Sequence, residues 1–121
     1  MGRRILVVDD EPEILEVVES RLKANGYDVV TARDGVQAVE RLNEALPALI
    51  ILDVMMPQVD GFKVLEVLKT HPRTSEIPII MLTSKGEMHN ILKAQELKAV
   101  DYLIKPFKSE EIMATVRKNL G

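Results

Sequence analysis

The chain has 121 residues, of which 46% are hydrophobic, 29% charged and 3% aromatic, and its formal net charge is −3. That size and balance fit one globular domain and exclude a disordered segment. Interspersed charge of slightly acidic balance and few aromatics exclude the basic or base-stacking surface of a nucleic-acid binder, no apolar run is long enough to span a bilayer, and the lack of cysteine excludes disulfides and thiolate metal sites.

Strand-like and helix-like segments alternate five times. Residues 3–8 read as a buried strand running into Asp9-Asp10. Pro12 suits the first turn of a helix reaching Ala24, with Ile14, Leu15, Val18 and Leu22 at helical spacing and Gly26 as a left-handed stop. Residues 27–32 are β-branched and alternating, a second strand. Asp34 can cap a helix carrying Val36, Val39, Leu42 and Leu46, which Pro47 ends. Residues 48–52 form a third apolar run, delivered straight into Asp53.

Residues 54–60, with Pro57, read as a loop, and Gly61–Thr70 as a third helix carrying Phe62, Val64, Leu65 and Leu68. Residues 71–76 are a polar connection, and 77–82 a fourth strand ending at Thr83, with Pro78 tolerable near its start. A fourth helix of weaker periodicity is expected over 87–97, and a fifth strand over 100–104, ending at Lys105-Pro106. Ser109 is positioned to cap a last helix to Leu120, with Glu110 and Glu111 in its first turn and Arg117 and Lys118 in its last. Repeated strand–helix units of this kind predict a parallel sheet with right-handed crossovers and helices on both faces. One domain is expected over residues 1–121, since the last helix ends where the sequence does.

The carboxyl ends of the strands carry the chemistry. The first strand supplies Asp9 and Asp10, the third Asp53, the fourth Thr83 and the fifth Lys105. Open α/β sheets bind ligands at this edge. Carboxylates converging there repel one another unless a cation intervenes, so the pattern points to a divalent metal and a carboxylate nucleophile.

These residues lie in five motifs: Val7-Val8-Asp9-Asp10-Glu11-Pro12, Asp53-Val54-Met55-Met56-Pro57, Asp60-Gly61, Met81-Leu82-Thr83-Ser84 and Asp101-Tyr102-Leu103-Ile104-Lys105-Pro106-Phe107. In this order and spacing the chain resembles a response-regulator receiver domain of two-component signalling. The resemblance implies a flavodoxin-like, doubly wound three-layer sandwich whose five parallel strands run in the order 2-1-3-4-5. It also implies that Asp53 accepts a phosphoryl group from the phosphohistidine of a sensor kinase or of a histidine phosphotransfer protein. Asp9, Asp10, Asp53 and the backbone carbonyl of Met55 would hold Mg²⁺, Lys105 would neutralise charge on the transferring group, and Thr83 would donate its hydroxyl. Further implications are a cis Lys105–Pro106 bond, an inward turn of Tyr102 as Thr83 moves, and signalling through the fourth helix, fifth strand and fifth helix. Partners would be the kinase and a downstream protein or output domain, with no direct nucleic-acid or membrane contact. Cytoplasmic residence is expected, as no secretory leader is seen, and the role is a phosphoacceptor switch rather than a metabolic enzyme.

Plainer readings exist for several residues. Aspartates after strands often cap helices or form turns, and Asp34 and Asp60 are read that way. Tyr102 could be an ordinary half-buried aromatic, and His71 and His89 surface residues. A haloacid-dehalogenase-like phosphohydrolase needs a second aspartate where Met55 stands; a nucleotide-binding enzyme needs a glycine-rich loop after the first strand. A receiver-like module that signals without phosphorylation need not keep Asp9, Asp10, Asp53, Thr83 and Lys105 together. Two features depart from the family pattern. Lys98 stands where glycine often ends the fourth helix, and Ile91 and Thr115 replace the basic partners that Asp101 and Glu111 would meet across one kind of family dimer. Met55 and Lys85 flank the site where water would reach an acyl phosphate.

Overall fold

The computed structural model describes residues 3–56, 59–84 and 88–120, less the side chains of Met55, Val59, Met88 and His89. Expectations touching Pro57, Lys85, Glu87 and the His89 side chain lie outside the described residues. Five strands, β1 (Arg4–Val8), β2 (Asp28–Ala32), β3 (Leu49–Asp53), β4 (Ile79–Ser84) and β5 (Asp101–Lys105), alternate with α1 (Pro12–Ala24), α2 (Gly35–Glu44), α3 (Gly61–Thr70), α4 (Met88–Glu96) and α5 (Ser109–Leu120). The strands form one sheet in the order β2-β1-β3-β4-β5, every neighbouring pair parallel. This is the flavodoxin-like arrangement the motifs implied.

Strand alternation sorts the core into two layers. Ile5, Val7, Leu49, Ile51, Ile80, Leu82 and Leu103 pack with Leu15, Val18 and Leu22 of α1 and Ile112, Met113 and Val116 of α5. Leu6, Val8, Ile50, Leu52, Ile79 and Met81 face the other way, against Ala38 of α2, Phe62, Leu65 and Leu68 of α3, and Ala94 of α4. All five residues of β3 are buried, as befits a central strand covered on both faces. Each fully buried aliphatic side chain contributes about 1.5–3 kcal/mol, which holds the sheet edge that carries the polar residues.

Several boundaries differ from the sequence expectation. β4 starts at Ile79: Pro78 has no N–H to give, although its carbonyl accepts from Ile50 N at 3.0 Å. Tyr27 belongs to the end of α1, because its N–H bonds Leu22 O while Gly26 N–H bonds Lys23 O, closing a Schellman motif around Gly26 at φ 88°. α2 stops at Glu44, with Ala45 already extended. The segment read as a loop after Asp53 contains a short antiparallel pairing, Met55 with Asp60 and Met56 with Val59. Ser109 is the first residue of α5 and not its cap; the Glu111 carboxylate instead reaches back to accept from Lys108 N at 2.9 Å.

α4 ends as α1 does, with a different residue at the turn. Lys98 N–H bonds Gln95 O and Ala99 N–H bonds Ala94 O, again a Schellman motif, and Lys98 takes φ 73°. A side chain in that left-handed conformation costs about 1–2 kcal/mol. Asp34 and Asp60 do cap helices, accepting from Gln37 N at 2.8 Å and Phe62 N at 2.9 Å. Among the described residues no helix is long and apolar enough to cross a membrane.

Candidate functional site

The alternation that builds the core also aims the polar residues. Asp9 follows Ile5 and Val7, Asp53 follows Leu49 and Ile51, and Lys105 follows Leu103, so all three belong to the α1/α5 face where their strands end. Asp9 and Asp53 are almost wholly buried. One carboxylate oxygen from each of Asp9, Asp10, Glu11 and Asp53 lies within 4.8 Å of the others. Hydrogen bonds fix this corner: Asp9 N–H donates to Ala32 O at 3.1 Å, and Glu11 N–H to Asp9 Oδ1 at 3.0 Å.

Lys105 supplies the ammonium in the cluster. Its Nζ lies 2.8 Å from Glu11 Oε1, 2.9 Å from Asp9 Oδ2 and 3.3 Å from Asp53 Oδ2. Burial alone would lower its pKa, but the hydrogen bond to Glu11 and the close carboxylates of Asp9 and Asp53 outweigh it and raise the pKa above the usual lysine range. The peptide bond from Lys105 to Pro106 is cis.

Among the described residues, four carboxylates meet the one ammonium of Lys105, which leaves excess negative charge in a confined space. Asp9 Oδ2 is fully buried and, although within ion-pairing distance of Lys105, accepts no well-aligned hydrogen bond. One ammonium shared among three carboxylates leaves lone pairs of this buried oxygen unmatched, a cost that a further cation would relieve. An all-oxygen donor set suits a hard divalent ion such as Mg²⁺. The residues present therefore fit the metal that the sequence called for.

Gly61 explains why the Asp60-Gly61 motif belongs to the site. A Cβ there would collide with the backbone oxygen of Asp53, come within 2.6 Å of Val54 O and lie 2.8 Å from Val54 Cα. The bare Cα lets α3 start directly against the residue that carries the central carboxylate, and Gly61 N–H bonds Val54 O at 2.9 Å.

Thr83 and Tyr102 fall on the opposite face of the sheet from Asp53 by strand alternation. Thr83 continues the series Ile79, Met81 and so belongs to the α4 face of the sheet. Tyr102 is half-buried on that face, in register with Met81. Met55 is placed by its backbone pairing with Asp60. Two residues went unassigned in the sequence reading. Glu11 was visible in the first motif, but only the fold brings it to Lys105. Asn90 is a buried polar residue on α4 that donates from Nδ2 to Thr83 Oγ1 at 3.3 Å.

Comparison with known proteins agrees with this geometry. Residues 5–117 match the response regulator receiver domain. The chain is 43% identical over 114 residues to the DNA-binding dual master transcriptional regulator RpaA of Synechocystis, covering 94% of this chain and 47% of that protein. It is 43% identical over 117 residues to the phosphate regulon transcriptional regulatory protein PhoB of Klebsiella pneumoniae, covering 97% and 51%. The chain thus spans about half the length of these curated relatives. Among solved structures, chemotaxis protein CheY4 of Vibrio cholerae superposes with a TM-score of 0.92 at 31% identity, covering 99% of this chain and 100% of that one. The receiver domain of NtrX from Brucella abortus gives 0.90 at 30% identity, covering 96% and 97%. Family match, sheet order and acidic pocket converge: the chain belongs to the response regulator receiver domain family, a signalling module rather than a metabolic enzyme.

Proposed function

We propose that the protein is a phosphoacceptor switch in which Asp53 takes a phosphoryl group from the phosphohistidine of a sensor kinase or histidine phosphotransfer protein. The observation that carries this reading is the buried Asp53 carboxylate, 3.3 Å from the Lys105 ammonium and within the cluster of Asp9, Asp10 and Glu11. An Asp53 oxygen attacks phosphorus as the P–N bond to the donor histidine breaks. The imidazole nitrogen leaves with the bonding pair, and an acyl phosphate remains on Asp53. Lys105, a point charge already beside Asp53, turns toward the phosphoryl oxygens as negative charge gathers there. Asp9, Asp10, Asp53 and the Met55 backbone carbonyl would hold Mg²⁺. When bound, the ion neutralises charge on the phosphoryl oxygens.

Thr83 then donates its hydroxyl to a phosphoryl oxygen, and the space it leaves is filled by Tyr102, repacking the surface of α4, β5 and α5 that a partner reads. The likeness to DNA-binding regulators of about twice this length supports an output domain or protein target as that reader. The acids of the signalling face are engaged within the chain: Asp101 Oδ2 pairs with Lys118 at 3.4 Å and accepts from Asn119 at 3.3 Å, and Glu111 caps α5. With Ile91 buried rather than presenting a base, this supports output that does not use cross-dimer charge pairs at Asp101 and Glu111.

Incubation with acetyl phosphate tests the chemistry, with intact mass as the readout. One phosphoryl group should be gained in Mg²⁺, none in EDTA and none by Asp53→Ala. Gain of mass by Asp53→Ala equal to that of the unaltered protein would refute the assignment.

A further inference from the structure

We infer that Asn90 is a positioning residue that holds Thr83 on the α4 face of the sheet and so sets how readily the switch turns on. The inference rests on the phosphoacceptor reading above and adds a residue to it. Asn90 is 6% exposed, sits on the inner side of α4, and donates from Nδ2 to Thr83 Oγ1 at 3.3 Å. Thr83 is itself 3% exposed. Both polar groups are thus shut away from water, where an unmade hydrogen bond is costly.

The direction of the bond gives it consequence. Ile79 and Met81 fix the α4 face for Thr83, whereas Ile51 on β3 fixes the opposite face for Asp53. Bonded to Asn90, the Thr83 hydroxyl is held toward the helix. As acceptor, Thr83 keeps its own proton free to donate, but the movement toward a phosphoryl oxygen proposed above carries Oγ1 away from Nδ2 and leaves the Asn90 amide buried without its partner. Two costs therefore oppose the active packing: the lost bond and the stranded amide. The same event removes the side-chain hydrogen bond between α4 and the end of β4, in the element that then has to repack. A single contact both delays the switch and transmits it.

The test is the affinity for beryllofluoride, a tetrahedral phosphoryl mimic, in the presence of Mg²⁺, read by fluorine NMR on the intact chain. Asn90→Leu keeps the branching at Cγ and removes the donor, and Asn90→Ala controls for the larger volume of leucine. Asn90→Leu should bind the mimic about two- to tenfold more tightly, the worth of one hydrogen bond. Asn90→Ala should shift affinity the same way, whatever it does to the melting temperature. In a Thr83→Val background, which has no hydroxyl to hold, Asn90→Leu should change affinity by less than about twofold, because a double-mutant cycle isolates the pair. Equal affinity in the unaltered protein and both Asn90 variants, or an effect of Asn90→Leu that survives undiminished in Thr83→Val, would overturn the inference while leaving the phosphoacceptor reading intact. Failure of the unaltered protein to bind the mimic would remove both.

Discussion

Replacing Gly61 with alanine sets two physical effects against each other, and the structure decides the sign. Gly61 opens α3, and its φ is not in the left-handed region, so alanine is conformationally acceptable there. On helix propensity alone the substitution should stabilise, by up to about 1 kcal/mol. The added methyl, however, meets backbone and not a side chain that could rotate aside: the Asp53 carbonyl oxygen, Val54 O at 2.6 Å and Val54 Cα at 2.8 Å. Overpacking of a rigid interior costs about 1–3 kcal/mol, which outweighs the propensity gain. The neighbours must move, and the first to move is the residue proposed to accept the phosphoryl group. In urea denaturation, with a slope of about 1–3 kcal/mol/M for a domain of this size, the midpoint should fall by roughly 1 M. Phosphorylation of Asp53 by acetyl phosphate at saturating Mg²⁺ should slow in the same variant, since displacement at the reacting atom is felt directly in the rate. A Gly61→Ala protein as stable as the parent, with an unchanged phosphorylation rate, would refute the reasoning.

Other outcomes follow from the same geometry. Lys98→Gly relieves a left-handed side chain at an exposed helix end and should stabilise by about 1 kcal/mol, seen as a higher melting temperature. Mg²⁺ should raise the melting temperature and EDTA reverse it, with about 2.7 kcal/mol gained when the ion is a hundredfold above its dissociation constant. Asp10→Asn should remove most of that gain while stabilising the metal-free protein by about 1 kcal/mol, through relief of repulsion among carboxylates within 4.8 Å of one another. The pKa of Lys105 is raised on folding, so the stability it contributes is fully present below the unfolded value of about 10.4 and is lost only as pH rises through the folded value. NMR titration of its side chain should therefore show a charged ammonium throughout pH 7 to about 10, and deprotonation below the ordinary lysine value would contradict the ion-pair geometry.

The parts of the fold that read cleanly from sequence are those where one signal dominates. A run such as Leu49-Ile50-Ile51-Leu52 has no polar face to offer, so it reads as a strand buried on both sides, and it is one. Because β1 runs into Asp9 and Asp10, β3 ends in Asp53 and β5 ends in Lys105, the charged pocket was legible before its geometry was known. Boundaries were less legible where a backbone group decides them: the missing N–H of Pro78 delays β4, and the Schellman bonds around Gly26 claim Tyr27 for α1. Residues acting through long-range contacts were harder still. Glu11 lies 94 positions from Lys105, and no local pattern joins them. Asn90 looks like any polar residue of a weakly amphipathic helix until α4 is seen to turn it inward onto Thr83. The Gly61 collision likewise depends on where α3 begins relative to Asp53, which spacing alone does not define.

The central claim is that the Asp53 side chain forms an acyl phosphate. Borohydride reduces a β-aspartyl phosphate to homoserine, which marks the modified position permanently. The protein would be phosphorylated with acetyl phosphate and Mg²⁺, reduced, digested and sequenced by mass spectrometry. Homoserine at position 53, absent when EDTA replaces Mg²⁺, is the result the account predicts. Homoserine at position 9 or 10, or at no position in a sample whose intact mass shows the added phosphoryl group, would contradict it.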